Sequence, residues 1–580
     1  MKPLYRAARL VLLGGALSSA AQTQTDAGTP GAAPPAPPVA KPGPAQSANP
    51  NKPTPAEAPT PKPGAQAPKP GAEAPKPGAA PASQDKSQPA PVRPAPEPPA
   101  PQPKPSTSGP AAPAPAATVA VPVEACPPVP EKQPTPLNPL PGAKPAGCFR
   151  PEAPLRCLAT RPLCDNDWKV ARIAWKYFER NYQPQTGLVN SVDGYPSTTM
   201  WDIGSSLAGT LAAVHLGLIE QKAFDDRIVA MLATLRTLRL YRDELPHKAY
   251  NASTAELTDY TNKPVAEGLG YSALDLARLA AWLDQLACMH PKHAHAAKQV
   301  LLRWKFCRLI QDGQMYGAVF DQATKKDQAL QEGRLGYEQY GGKAFASLGF
   351  DQSVSSRYDN PYASQVEING VPIAFDMRDP RKFGAFNYVV TESYALDALE
   401  FGTDAELSRL LGNIYEVQKR RWQRTGIVTA VSEDNVDRPP YFVYNTIFAA
   451  GSAWNTITDT GSDQHQLKSV STKAAFSLAA LFPDDPYSSV LVNSVWSAHD
   501  PERGWYSGLY ESGIGYNKAI TANTNGIILE ALLYKALGPL HPACRKCGRA
   551  LKLGGEDVDA TVAATQCLPG APRESAPAGK

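Results

Sequence analysis

GLGYSALDLARLAAWLDQLA, residues 268–287, decides the fold. Leu274, Leu276, Leu279, Leu283 and Leu286 do not keep to one stripe of a 3.6-residue period. With the alanines between them they make a helix apolar almost all round, which is the pattern of a helix buried on every side. Residues 522–537 repeat it with Ile527, Ile528, Leu529, Leu532 and Leu533. Other segments keep one wet side. Between 404 and 423, Leu407, Leu410, Leu411, Ile414 and Val417 form a stripe, while Glu406, Arg409, Glu416, Lys419 and Arg420 lie elsewhere. Residues 167–181 likewise set Trp168, Ala171, Trp175 and Phe178 against Lys169, Arg172, Lys176 and Glu179.

Working outward, buried helices begin near Asp202, Gly268, Gly333, Glu392, Phe442 and Ala522, a spacing of about 65 residues that marks a repeat architecture. Wet helices near 167, 221, 292, 404 and 486 alternate with them. Two concentric rings joined as helical hairpins follow, an all-α, (α/α)6 toroid of inner and outer helices, with an open solenoid as the alternative. No outer helix is legible between 349 and 391, and an additional helical segment lies at 471–482. Turns leaving inner helices are short, whereas the segments entering them run about 20 to 40 residues, and loops that long in a compact domain usually carry function. If the rings alternate, all six long loops open on one rim.

Outside residues 165–541 the composition changes. Residues 1–21 carry Lys2, Arg6 and Arg9, then the apolar run 10–17, then small residues, the three parts of an export signal. Residues 22–146 are rich in Pro, Ala, Gly and Lys, with KPGA at Lys62, Lys69 and Lys76; 40 of the 61 prolines stand before residue 151. Such a segment has too little apolar side chain to pack, so a long disordered spacer is expected, able to associate with the cell envelope. A Cys-containing lead-in (147–164) and a Cys-containing tail (542–580) flank the domain. In an exported protein seven flanking cysteines predict disulfides that staple the domain's ends, with one thiol over from the nine. Cys288 and Cys307 close successive antiparallel helices, so they are not expected to pair with each other. A zinc site on Cys544 and Cys547 lacks a second ligand pair. Neither cofactor nor metal is expected. A net charge of +4 from 58 basic and 54 acidic residues offers no basic stripe, which excludes nucleic acid as a partner. A monomer is expected.

The rim loops are aromatic and acidic. Trp201, Tyr337, Tyr340, Tyr441, Tyr444, Trp505 and Tyr510 offer flat apolar faces with polar edges, suited to pyranose rings, and Asn523 and Asn525 could bond sugar hydroxyls. Asp202 stands at an inner helix start, where a capping role competes with a catalytic one. Glu338, between Tyr337 and Tyr340, is a candidate proton donor because burial against aromatics raises a carboxyl pKa. Glu433 and Asp434 fall in SEDNVD (432–437), and Glu511 ends WYSGLYE (505–511). Arg378 could hold a rim acid or bind an anionic group. No HExxH, P-loop, GxSxG or GxGxxG in strand context appears, and few histidines lie in the rim loops.

The strings TTMWDIGSSLAG, LGYEQYGGKAF, TESYALDALEFG, VSEDNVDRPPYFVYN, GWYSGLYESG and NTNGIILEALLYK resemble a bacterial family, domain of unknown function 3131, of the six-hairpin glycosidase superfamily, which includes endo-β-1,2-glucanases. The resemblance implies an (α/α)6 barrel and places Asp202, Glu338, Glu392, Glu433, Asp434 and Glu511 among its acids. It also implies an inverting reaction, which requires two carboxyls about 6.5–9.5 Å apart. The expectation is an exported glycoside hydrolase acting on a bacterial glucan or exopolysaccharide, with Glu338 as general acid and Glu433 or Asp434 activating water. The alternatives are a non-catalytic glycan-binding or polysaccharide-export accessory protein and a polysaccharide lyase.

Overall fold

The computed structural model describes residues 160–332, 334–380, 387–546, 550–555 and 557–570. The export signal (1–21), the linker (22–146) and most of the lead-in lie outside the described residues, as do Cys126, Cys148, Cys157 and Cys547. Thirteen α-helices occur among the described residues: α1 (Asp165–Arg180), α2 (Met200–His215), α3 (Gln221–Thr237), α4 (Ala273–Met289), α5 (Ala294–Leu301), α6 (Tyr337–Ser347), α7 (Thr391–Phe401), α8 (Ala405–Thr425), α9 (Thr472–Leu481), α10 (Pro486–Val495), α11 (Ala522–Leu537), α12 (Leu540–Lys546) and α13 (Ala560–Thr565).

Helices α2, α4, α6, α7, α9 and α11 each pack against the next, and α11 packs against α2, which closes a ring. The all-round apolar pattern predicts this burial: Leu274, Leu276, Leu279, Leu283 and Leu286 of α4 are all 0 % exposed. A fully buried leucine contributes about 1.5–3 kcal/mol, and truncating one to alanine costs about 2–5 kcal/mol. Helices α1, α3, α5, α8 and α10 form the outer ring, each showing one apolar face to its inner neighbours. Ring closure needs a small residue. A Cβ on Gly526 of α11 would stand 2.7 Å from the Ser205 carbonyl of α2, so only glycine lets these helices approach so closely.

Side-chain caps start several of these helices. The Thr199, Ser272 and Thr521 hydroxyls accept from the third amide of α2, α4 and α11, satisfying donors that helix geometry leaves unpaired. Helix α8 begins on Asp404, whose carboxylate accepts from the Leu407 amide at 2.7 Å, and stops at Gly426 in the left-handed region, φ 73°, a common C-terminal device.

Two expectations about helices fail. No helix begins at Phe442, because Phe442–Asn445 is a strand paired with Glu433–Asn435; the fifth inner helix is α9, in the segment the sequence shows as supernumerary. Between α6 and α7, where no outer helix is legible, the described residues form a hairpin, Ala363–Ile368 with Val371–Asp376, whose second strand packs on α8. The molecule is therefore not all-α. Short antiparallel strands fasten the long loops that precede the inner helices, including the hairpin Gln314–Asp321 with Lys326–Gln331.

A polar knot sits at mid-depth of the ring. Arg278 of α4, 0 % exposed, donates to Ser205, Tyr340, Glu400 and Glu530. Trp282 and Tyr340 also donate to Glu400, at 3.2 and 3.1 Å. Beyond the far end of the ring the tail is covalently held: Cys288 pairs with Cys544 and Cys307 with Cys567. Cys288 and Cys307 do not pair with each other, and Cys544 is a disulfide cysteine instead of a zinc ligand. No helix among the described residues is long and apolar enough to cross a membrane.

Candidate active site

The six inner helices present their first turns at one mouth, and the second helical residue of each falls in the same register: Trp201, Leu274, Glu338, Glu392, Lys473 and Asn523. Four of these meet. Lys473 forms an ion pair with Glu392, whose other oxygen accepts from Asn523 Nδ2 at 2.9 Å. Asn523 Oδ1 in turn accepts from Trp201 Nε1 and the Ser205 hydroxyl, each at 3.0 Å.

Glu433 and Asp434 enter from the hairpin beside this chain of contacts. Register pairs Glu433 with Tyr444 and Asp434 with Val443. Asp434 Oδ1 lies 3.4 Å from Lys473 Nζ. Tyr337, the first residue of α6, turns its hydroxyl toward Glu433, and the Ser471 hydroxyl faces Asp434, neither closing a hydrogen bond of good geometry. Both oxygens of Glu433 and of Asp434, with the hydroxyls of Tyr337 and Tyr444, are buried and make no hydrogen bond. Buried polar atoms are nearly always satisfied, so a group of orphans marks a place that receives a polar ligand.

Electrostatics separates the acids. Burial, then the charge of Glu392, pushes the Glu433 carboxyl well above the ordinary range, with Lys473 opposing. Burial also raises Asp434, but Lys473 limits the rise to about 6. Burial and Glu392 thus favour the protonated form of Glu433, whereas Lys473 favours the ionised form of Asp434, the division of labour that acid and base catalysis needs. Asp202, third residue of α2, accepts from Thr199 Oγ1 at 2.8 Å and is pushed by burial to about 6.

A second acidic group lies in the next sector of the mouth. Glu332 accepts from the Ser272 hydroxyl at 3.0 Å and from the Ala273 and Leu274 amides at 2.6 and 3.3 Å, capping α4. Burial, then Glu332, pushes Asp275 up to about 8. Buried Lys248 supplies a counter-charge, its own pKa lowered by desolvation. Tyr260 lies in the field of Asp275, Glu332 and Asp459, and Tyr444 in that of Tyr388, Glu433, Asp459 and Tyr260, so tyrosines link the two sectors. Tyr388 stacks on Tyr444 with ring centroids 3.6 Å apart.

Of the residues singled out in the sequence, Glu392, Glu433, Asp434, Trp201, Tyr337, Tyr444 and Asn523 are gathered here, with Asp202 adjacent. The others stand apart. Glu338 is tied to Arg378 and accepts from Gln331 at 2.8 Å, while Arg378 also grips Asp376. Glu511 makes two 2.7 Å bonds to Arg421 of outer helix α8. Tyr340 belongs to the Arg278 knot. Trp505 is 1 % exposed and donates to the Val170 carbonyl. Tyr510 donates to Asp437 at 2.7 Å, Asn525 bonds the backbone of Trp505 and Thr521, and Tyr441 is a partly buried turn residue with φ 69°. The sequence reading does not single out Lys473, Lys248, Asp275 or Glu332, whereas Tyr260 and Tyr388 are among the aromatic residues it places on the rim. Lys473 was recoverable, because promoting 471–482 to an inner helix puts it in register with Glu392. Among the described residues no group of three or more His, Cys, Asp or Glu is arranged to hold a metal.

No curated protein matches the chain. Solved structures share its fold at low identity. An endo-β-1,2-glucanase from Chitinophaga pinensis, in complex with sophorotriose and glucose, is 13% identical with a TM-score of 0.50, covering 66% of this chain and 95% of its own. A glucoamylase candidate from Bacteroides fragilis NCTC 9343 is 12% identical with a TM-score of 0.50, covering 66% of this chain and 92% of its own. The barrel is thus the (α/α)6 fold of these structures. The family model described as "Protein of unknown function (DUF3131)" matches residues 169–538, from the second turn of α1 to just past the end of α11, and the chain belongs to that family.

Proposed function

We propose that this chain is an exported glycoside hydrolase that cuts a bacterial glucan or exopolysaccharide with inversion. Glu433 donates the proton to the leaving oxygen, and the carboxylates beside Lys473, Glu392 and Asp434, supply the base that activates water. The observation that carries this reading is a buried acid group at the mouth in which Glu433 has no hydrogen bond or ion pair, with its pKa raised by burial, while Lys473 lies against Glu392 and Asp434. Burial raises the pKa of Glu338, the acid expected from the sequence, but Arg378 opposes the rise and the carboxylate is engaged by Arg378 and Gln331, so Glu433 is preferred as the acid. The shared fold makes β-1,2-glucan the first polysaccharide to try.

The wild-type protein should release reducing ends from β-1,2-glucan or another member of a polysaccharide panel, and Glu433→Gln should lower the rate by about 10²–10⁴-fold with unfolding temperature retained. Unchanged turnover in that variant would remove the assignment, and binding without product across the panel would point to the glycan-binding alternative. Azide rescue of Glu392→Gln or Asp434→Asn identifies the base. Export through residues 1–21 is tested by sequencing the N-terminus of protein recovered outside the cytoplasm.

A further inference from the structure

We propose that Lys473 is the positioning residue of the mouth: a single buried ammonium, shared by Glu392 and Asp434, serves as counter-ion to these two acids and leaves Glu433 without one. The inference rests on the reading that this cluster is where hydrolysis occurs.

Geometry carries it. Lys473 is the second residue of α9, so the ring itself points its side chain into the same space as Glu392 of α7 and Asn523 of α11. The side chain is 5 % exposed, in ion contact with Glu392 and 3.4 Å from Asp434. Every element around it contributes a group: Glu392 from α7, Glu433 and Asp434 from the hairpin, Asp202 from α2, and the neutral Asn523 and Tyr337 from α11 and α6. Among these neighbours Lys473 is the sole cation, facing four carboxyls. One charge cannot hold all four ionised in a dry site. Glu392 and Asp434 are the two in ion contact with it, whereas Glu433 makes no hydrogen bond or ion pair. The directions of the individual acids agree, since Lys473 opposes burial at Asp202, Glu433 and Asp434 alike.

The test needs no substrate. Protein labelled with ¹³C at Glu and Asp carboxyls is titrated by NMR, and resonances are assigned by their loss in Glu392→Gln, Glu433→Gln and Asp434→Asn. In Lys473→Met, Glu392 and Asp434 should titrate about one to three pH units higher, and Lys473→Arg should hold them near wild-type values. If both carboxyls titrate in Lys473→Met as in wild type, the proposal is overturned. Should Lys473→Met fail to fold, Glu392→Gln serves: it frees Lys473 for Asp434 and removes a negative neighbour from Glu433, so both should titrate lower, and unchanged titration would overturn the proposal. If no polysaccharide in the panel is cut, the proposed hydrolase falls, while the titration still decides the role of Lys473. Where a substrate is cut, both limbs of the kcat/KM profile should move to higher pH in Lys473→Met and return in Lys473→Arg.

Discussion

Replacing Arg278 by methionine should destabilise the barrel by an amount that depends steeply on pH. Burial raises the pKa of both Glu400 and Glu530, and each lies within hydrogen-bonding reach of the other, so one proton shared with a single arginine gives a neutral knot. Without Arg278 the remaining carboxylate must take up a proton to stay buried. For a glutamate of ordinary pKa about 4.3, that costs about 1.36 kcal/mol per pH unit, or about 3.7 kcal/mol at pH 7 and about 1 kcal/mol at pH 5. This falls within the 3–5 kcal/mol lost when one partner of a buried ion pair is removed. The sign follows from proton counting: above about pH 4.3 the folded variant binds two more protons than the unfolded chain where folded wild type binds one more, so the variant's stability falls more steeply than wild type's as pH rises. Guanidinium unfolding of wild type and Arg278→Met at pH 5, 6 and 7 measures the difference directly. Adding Glu400→Gln to Arg278→Met should remove most of the pH-dependent part, because the group that must be protonated is gone. A loss below about 1 kcal/mol at pH 7, or one that does not change with pH, would refute the account.

Other consequences can be measured on the same material. Burial lowers the pKa of His290 to about 4, and its Nε2 lies 2.9 Å from that of His215, itself lowered to about 3. The unfolded chain therefore binds protons that the folded one refuses as pH falls below about 6.5, and His290→Gln should recover about 2 kcal/mol of the stability lost between pH 7 and 5 in acid unfolding curves. Gly526→Ala should cost about 1–3 kcal/mol in denaturant unfolding by forcing α2 and α11 apart; a neutral result would mean the ring has slack at its seam. The hydrolysis and carboxyl-titration variants above complete the set.

Much of the ring was legible because a buried helix and a half-wet one have different periodicities, and residues 268–287 and 404–423 show the contrast plainly. The fifth inner helix was misplaced for a physical reason. The run Phe442–Tyr444 is apolar and short, where period alone does not separate strand from helix, while the ten-residue α9 carries Lys473 in its first turn and so reads as less buried than it is. The acids of the hairpin were visible as a cluster, but the partners that sort acids into roles lie far off in the chain. Glu511 meets Arg421 across 90 residues and Glu338 meets Arg378 across 40; such pairs are set by the closure of the ring, which no local pattern encodes. Tyr340 and Trp505 read as rim residues because aromatic residues near loops look alike in sequence whether they line a groove or fill the wall behind it.

The shared direction of the inner helices has an electrical consequence. Each α-helix behaves as a dipole with about half a positive charge at its first turn and half a negative charge at its last. Six such positive ends converge where Glu392, Glu433 and Asp434 are buried, while His215 at the end of α2 and His290 just past α4 occupy the negative pole. The scaffold is thus a bar polarised from one face to the other, and its backbone helps to hold anionic side chains at the mouth before any side-chain cation is counted.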